Sequence, residues 1–126
     1  MIEKSDKPDR RRVLVIDDDI DCANTIAMVL RRLGAKVDVA YSGALGVEAF
    51  SSDAFDLIFL DIGMAKMDGY ETARQIRSRA CGRPVRIIAL TGWGRDEDRE
   101  RTLAAGFDHH LVKPVDAADL RNLLQD

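Results

Sequence analysis

Four short strand-like stretches of this chain each end on polar side chains that can do chemistry. Asp17 and Asp18 follow Val13-Leu14-Val15-Ile16, Asp61 follows Leu57-Ile58-Phe59-Leu60, Thr91 follows the run from Val85 to Leu90, and Lys113 follows His109 to Val112. Three carboxylates brought close together repel one another, so they raise their own pKa values or recruit a cation. Oxygen ligands with no thiolate or imidazole beside them favour Mg2+ over zinc or copper. Mg2+ held by few protein carboxylates keeps several waters, and those positions suit phosphate oxygens. Thr91 adds a hydroxyl donor and Lys113 a cation for the same anion. An Asp carboxylate is itself a competent nucleophile toward phosphorus once a metal neutralises the incoming charge. The group reads as a phosphoryl site with aspartate as acceptor.

Such residues meet only if the elements that carry them lie side by side. Short apolar runs alternate with longer amphipathic ones five times along the chain. The first run, Val13 to Ile16, is β-branched and apolar on both faces, as a strand covered on both sides requires. Apolar residues at 20, 23, 26, 27, 30 and 33 then predict a helix that Gly34 stops. Val37 to Tyr41 alternates and predicts an edge strand, after which Ser42 caps a short helix to about Phe50. Leu57 to Leu60 is a second fully apolar strand. Asp68 and Glu71 form a capping-box pattern for a third helix ending near Cys81-Gly82. Val85 to Leu90 is a further buried strand. Asp96, Glu97 and Asp98 open a fourth helix that Gly106 closes. His109 to Val112 is a brief last strand, and Asp116 and Asp119 start a final helix using Leu120, Leu123 and Leu124. Alternating strands and helices predict an α/β fold, a doubly wound parallel sheet of flavodoxin-like (βα)5 type, strand order 2-1-3-4-5. All strand ends then share one edge, where Asp17, Asp18, Asp61, Thr91 and Lys113 converge.

Composition narrows the function classes. The chain has 126 residues, 46% hydrophobic and 33% charged, as expected for one ordinary globular domain. Its longest purely apolar runs are four residues, too short to span or insert into a membrane. The first twelve residues carry five basic and three acidic groups and no apolar h-region, so they are not a secretory signal. Residues 1–11 read as a charged, solvated arm and 12–126 as the domain. Net charge is −3 with a pI near 5.4, which argues against direct nucleic-acid binding. Cys22 and Cys81 provide neither a disulfide framework nor zinc spacing, so a reducing cytoplasm is expected.

The sequence closely resembles the bacterial response-regulator receiver domain, from about Arg12 to Leu124. The resemblance rests on V-L-V-I-D-D-D at 13–19, D-I-G-M-A-K-M-D-G at 61–69, A-L-T-G-W-G at 89–94 and K-P at 113–114. It implies phosphotransfer from a kinase histidine, or a histidine phosphotransfer protein, onto Asp61. Asp18, Asp61 and the Gly63 carbonyl would hold Mg2+, with Asp17 acting through water. Thr91 and Lys113 would contact phosphoryl oxygens, and rearrangement would spread to the fourth helix, fifth strand and fifth helix, where a downstream protein or a second copy docks. The resemblance also makes Lys113-Pro114 a candidate cis peptide. Such a domain is a signalling module, not an enzyme that turns over a metabolite. The chain ends with the fifth predicted helix, so no attached output module is expected. It would act alone, relay phosphate, or belong to a hybrid kinase.

Three positions depart from the family pattern. Ala65 replaces a usual proline, and His110 stands where a switching Tyr or Phe is usual. His110 is an ordinary half-buried strand residue, or an imidazole whose protonation near pH ~6.5 biases the switch. Trp93 is a lid over the acyl phosphate, or an exposed aromatic at a docking face. Two alternatives also take up these residues. A haloacid-dehalogenase-like Mg2+-dependent phosphatase would use Asp17 or Asp19 as nucleophile, but its pattern fails at Asp21 and leaves Asp61 without a role. A receiver-like adaptor that is never phosphorylated would not need the full polar set. A calcium-loop reading of Asp17-x-Asp19-x-Asp21 fails at Cys22 and Met28.

Overall fold

The computed structural model describes residues 11–64, 68–92 and 101–125. Its elements run β1 (Arg12–Ile16), α1 (Ile20–Arg32), β2 (Lys36–Ala40), α2 (Gly43–Ser52), β3 (Leu57–Asp61), α3 (Gly69–Ala80) and β4 (Arg86–Thr91). Helical residues 101–104, here α4, precede β5 (His109–Val112) and α5 (Ala117–Gln125). The five strands are parallel and ordered β2-β1-β3-β4-β5, as the alternation and the strand hydrophobicity predict. Ala65, Trp93, the acidic start of the fourth helix and the arm up to residue 10 lie outside the described residues.

Each central strand feeds two cores, because alternate side chains leave a strand on opposite faces. Val13, Val15, Leu57, Phe59, Ile88 and Leu90 pack under α1 and α5, against Ala23, Ile26, Leu30, Leu120 and Leu123. Leu14, Ile16, Ile58, Leu60, Ile87 and Ala89 pack on the other face, against α2, α3 and Phe107. Burying one Val, Leu or Ile side chain contributes roughly 1.5–3 kcal/mol. These two layers hold the strand ends in fixed relation.

Asp19, Ser42, Asp68 and Asp116 cap α1, α2, α3 and α5, accepting from the backbone N–H of Cys22, Leu45, Glu71 and Asp119 at 2.9–3.1 Å. Three details differ from the sequence expectation. The Asp68–Glu71 pair is only half a capping box, since the Glu71 carboxylate turns to Arg74 and Gln75. Arg12 belongs to β1 and pairs with Asp53, its guanidinium lying over the Phe55 ring. Asp61 and Thr91 are the last residues of their strands instead of the first beyond them, because the ladder continues to Asp61 opposite Leu90 and to Thr91 opposite Val112.

Candidate metal and phosphoryl site

β1, β3, β4 and β5 deliver their polar ends to one edge of the sheet. Asp17 follows Ile16 directly and is fully buried, its own N–H donating to the Ala40 carbonyl at 3.1 Å. One Asp17 oxygen accepts from the Asp19 N–H at 3.0 Å and the other from Lys113 Nζ at 2.9 Å. Asp61 is 8% exposed, and its Oδ1 accepts from the Gly63 N–H at 2.9 Å. Its Oδ2 lies 3.7 Å from Lys113 Nζ. Asp18 is exposed at the rim. Asp17, Asp18 and Asp61 each place a carboxylate oxygen within 4.8 Å of the others. Thr91, buried at 3% exposure, ends the strand between those of Asp61 and Lys113, and its carbonyl accepts from the Lys113 N–H at 2.8 Å. Lys113-Pro114 is cis.

The electrostatics follow from who sits nearest the ammonium. Burial pushes the Asp17 carboxyl up, but the hydrogen bonds from Lys113 and the Asp19 backbone outweigh it, and the pKa falls below the usual range. Asp61, farther from Lys113, is pushed up to about 6, first by burial and then by the neighbouring Asp17, with the Gly63 N–H pulling the other way. Burial alone would lower Lys113, yet the hydrogen bond to Asp17 and the charges of Asp61 and Asp17 raise it, so it remains an ammonium. Three carboxylates and one ammonium leave two net negative charges, which a divalent cation neutralises. The donors are all oxygens, which suits Mg2+.

The sequence-predicted residues therefore meet, with one exception. His110 lies on β5, half-buried, lining a cavity of about 440 Å3 with Thr102, Leu103 and Val112, away from the carboxylates. Asp19 is occupied as the α1 cap, and both oxygens of Asp17 are engaged, so neither is presented as the nucleophile that a phosphatase reading needs.

Two contributors escaped the sequence reading. Cys22, on the first turn of α1, has its thiol pushed up to about 11 by burial and the Asp17 charge, and stays protonated at neutral pH. Gly69 starts α3 pressed against the segment after Asp61. A Cβ there would overlap Ile62 Cα and stand 2.6 Å from the Asp61 carbonyl oxygen. The signal was the glycine directly behind the Asp68 cap. Both clashing atoms are backbone and cannot swing aside. Gly69→Ala is expected to cost about 1–3 kcal/mol in denaturant unfolding and to weaken Mg2+ binding in titration calorimetry by displacing Asp61. Unchanged values for both would refute this role.

The sequence and the fold are similar to those of known proteins. The description "Response regulator receiver domain" matches residues 13–125. An uncharacterized 14.6 kDa protein of Leptolyngbya boryana is 35% identical over 113 residues, covering 90% of this chain and 86% of that protein. The receiver domain of sensor histidine kinase PA1611 from Pseudomonas aeruginosa PAO1, with a magnesium ion coordinated in its active-site cleft, superposes with a TM-score of 0.82. It is 35% identical, over 91% of this chain and 94% of that one. The receiver domain of Ssk1 from Saccharomyces cerevisiae, solved with the histidine phosphotransfer protein Ypd1, has a TM-score of 0.85 at 25% identity, over 92% and 87% of the two chains. The chain spans only 7% of a hybrid signal transduction histidine kinase of Dictyostelium discoideum and 25% of a transcriptional regulatory protein of Escherichia coli. A family match over nearly the whole chain, with a relative 35% identical over most of both lengths, places this protein among the response regulator receiver domains of two-component signalling.

Proposed function

We propose that Asp61 accepts a phosphoryl group from a phosphohistidine of a histidine kinase or histidine phosphotransfer protein. The observation that carries this is the buried, inward-facing Asp61 carboxylate, fixed by the Gly63 N–H with the Lys113 ammonium 3.7 Å away. An Asp61 oxygen bonds to phosphorus as the phosphorus–nitrogen bond breaks, and the departing imidazole nitrogen keeps the electron pair and takes a proton. The chain's part is positioning and charge neutralisation more than covalent chemistry. Lys113 holds positive charge beside the acceptor, Asp17 holds Lys113, and the Thr91 hydroxyl and Lys113 bind the transferred oxygens. Asp18, Asp61 and the Gly63 carbonyl would hold Mg2+, with Asp17 acting through water. The ion, when bound, neutralises charge on the carboxylates and the phosphoryl oxygens.

The acyl phosphate adds charge and three acceptor oxygens that draw Thr91 inward. A two-state equilibrium then shifts, with Thr91 and His110 as switch residues, and the face built from α4, β5 and α5 changes for a downstream protein or a second copy of the chain. The domain carries phosphate without turning over a metabolite. The co-crystal of the Ssk1 receiver with Ypd1 supports a phosphotransfer protein as partner, and the PA1611 receiver supports membership of a larger kinase. A cytoplasmic location fits both readings; among the described residues no helix is long and apolar enough to cross a membrane.

Acetyl phosphate with Mg2+ tests the proposal by intact-mass measurement. The expected result is a gain of one phosphoryl group in wild type and none in Asp61→Asn. Sustained turnover of phosphomonoesters by Asp61→Asn would instead establish the phosphatase reading.

A further inference from the structure

The two ends of β5 are held very differently. At its start, Arg77 of α3 reaches across with all three guanidinium nitrogens. Nε donates to the Gly106 carbonyl at 2.9 Å, Nη1 to the Val85 carbonyl at 2.7 Å, and Nη2 to Asp108 Oδ2 at 2.6 Å. Asp108 Oδ2 also accepts from the Ile87 N–H at 2.8 Å, and the Asp108 N–H donates to the Ile87 carbonyl at 2.8 Å. Phe107 between them is buried, with its ring edge-to-face on Tyr70 of α3. Gly106 has φ 100°, and a Cβ there would stand 3.2 Å from Arg77 Cγ, so the glycine both makes the turn and leaves room for the arginine stem. At the other end, beyond Val112, the Lys113 N–H makes one backbone bond to Thr91, and the Lys113 ammonium enters the acidic site. Val112 there is 43% exposed.

We propose that Arg77 is a positioning residue for the switch: with Asp108 it pins the start of β5 to α3 and β4, so the strand pivots about that end. Charge added at Asp61 acts on the opposite end, the one tied to the site through Lys113 and Thr91, and displacement grows toward Val112, lining the cavity beside Leu103. Arg suits this duty because its planar fork serves three acceptors at once, which a lysine ammonium on a flexible stem cannot reproduce. Without the anchor, the same push would slide the whole strand and dissipate before reaching α4. This inference rests on Asp61 being the acceptor.

The test is residue-level amide exchange on wild type, Arg77→Met, Arg77→Lys and Asp108→Asn, in Mg2+ alone and in Mg2+ with beryllofluoride as the acyl-phosphate mimic. In wild type, beryllofluoride is expected to change exchange at residues 109–113 while leaving residues 87 and 106–108 steady. In Arg77→Met, exchange at 87 and 106–108 should rise about tenfold, and the beryllofluoride response at 109–113 should fall below half. Arg77→Lys, which keeps the stem under Gly106, should be intermediate and guards against simple misfolding. A full-sized response in a folded Arg77→Met, with only its melting temperature lowered, would make Arg77 a brace and overturn the proposal alone. No response of wild type would overturn the acceptor reading, and the proposal with it.

Discussion

Lys113→Met is expected to slow phosphoryl acceptance from acetyl phosphate by about 10²–10³-fold, the usual loss when one preorganised charge-stabilising donor is removed. The same variant should bind Mg2+ about tenfold more tightly, which is a change of ~1.4 kcal/mol in the Coulomb energy between an ammonium and a dication sharing one cluster. The opposed signs make the result diagnostic. Lys113 Nζ lies 2.9 Å from Asp17 and 3.7 Å from Asp61, so in wild type it competes with a metal for the same carboxylates. Its replacement leaves Asp17 fully buried with one oxygen unpartnered, and breaking a buried pair this way costs about 3–5 kcal/mol. Stability in chelator should therefore fall, and added Mg2+ should recover more of it than in wild type. Phosphorylation time courses by intact mass and Mg2+ titration by calorimetry check the two signs. Equal rates in variant and wild type would remove Lys113 from the chemistry.

On the proposed reading, the difference between Asp17 and Asp61 would let one cluster hold a metal and still present a nucleophile. Both are buried, and burial raises both. Lys113 stands closer to Asp17, whose oxygens are both engaged, so Asp17 carries the fixed negative charge. Asp61 accepts from the Gly63 N–H on Oδ1, has Oδ2 3.7 Å from Lys113 Nζ, and retains the higher pKa. Lys113 crosses from β5 past β4 and past the β3 end that carries Asp61, and its ammonium bonds to Asp17 beyond β1, the carboxylate of the farther strand.

Most of this architecture is legible in the chain because it rests on local patterns. Val13 to Ile16, Leu57 to Leu60 and Val85 to Leu90 read as buried strands from their apolarity, and every residue of them but Arg86 is buried. Parallel strands share a direction, so side chains at their ends are brought together whatever loops intervene, and Asp17, Asp61, Thr91 and Lys113 could be collected without coordinates. Arg77 and Asp108 gave no such signal. They are 31 residues apart, and an arginine on a helix otherwise reads as solvated surface. Gly69 was visible as a residue but not as a close approach, because the atoms it nearly touches belong to a loop that periodicity does not describe. Arg12 lies just before the first apolar run, yet its backbone enters the ladder and its guanidinium finds Asp53. Glu71 sat at capping-box spacing and was drawn off by Arg74 and Gln75, a competition spacing alone cannot decide.

Asp61→Asn is expected to be more stable than wild type in chelator above pH ~7, by about 1–3 kcal/mol. The sign follows from the raised pKa. A carboxyl at about 6 in the folded chain and 3.8 in the ordinary range contributes stability that is complete below the lower value and lost as pH rises through the upper one. Fully ionised, wild-type Asp61 then opposes folding by at most about 3 kcal/mol. The asparagine carries no such charge, and its side-chain oxygen still accepts from the Gly63 N–H. The attraction to Lys113 at 3.7 Å pulls the Asp61 pKa down and is already contained in that upper bound. The advantage should shrink as pH falls and vanish near pH ~4, where both side chains are neutral. Mg2+ should reverse the order, since a ligand at a hundred times its dissociation constant adds about 2.7 kcal/mol to the protein that binds it. Urea unfolding at several pH values, with and without Mg2+, measures both effects. A metal-free Asp61→Asn less stable than wild type at pH ~8 would show that Asp61 is a satisfied structural carboxylate and not a strained acceptor held ready for charge.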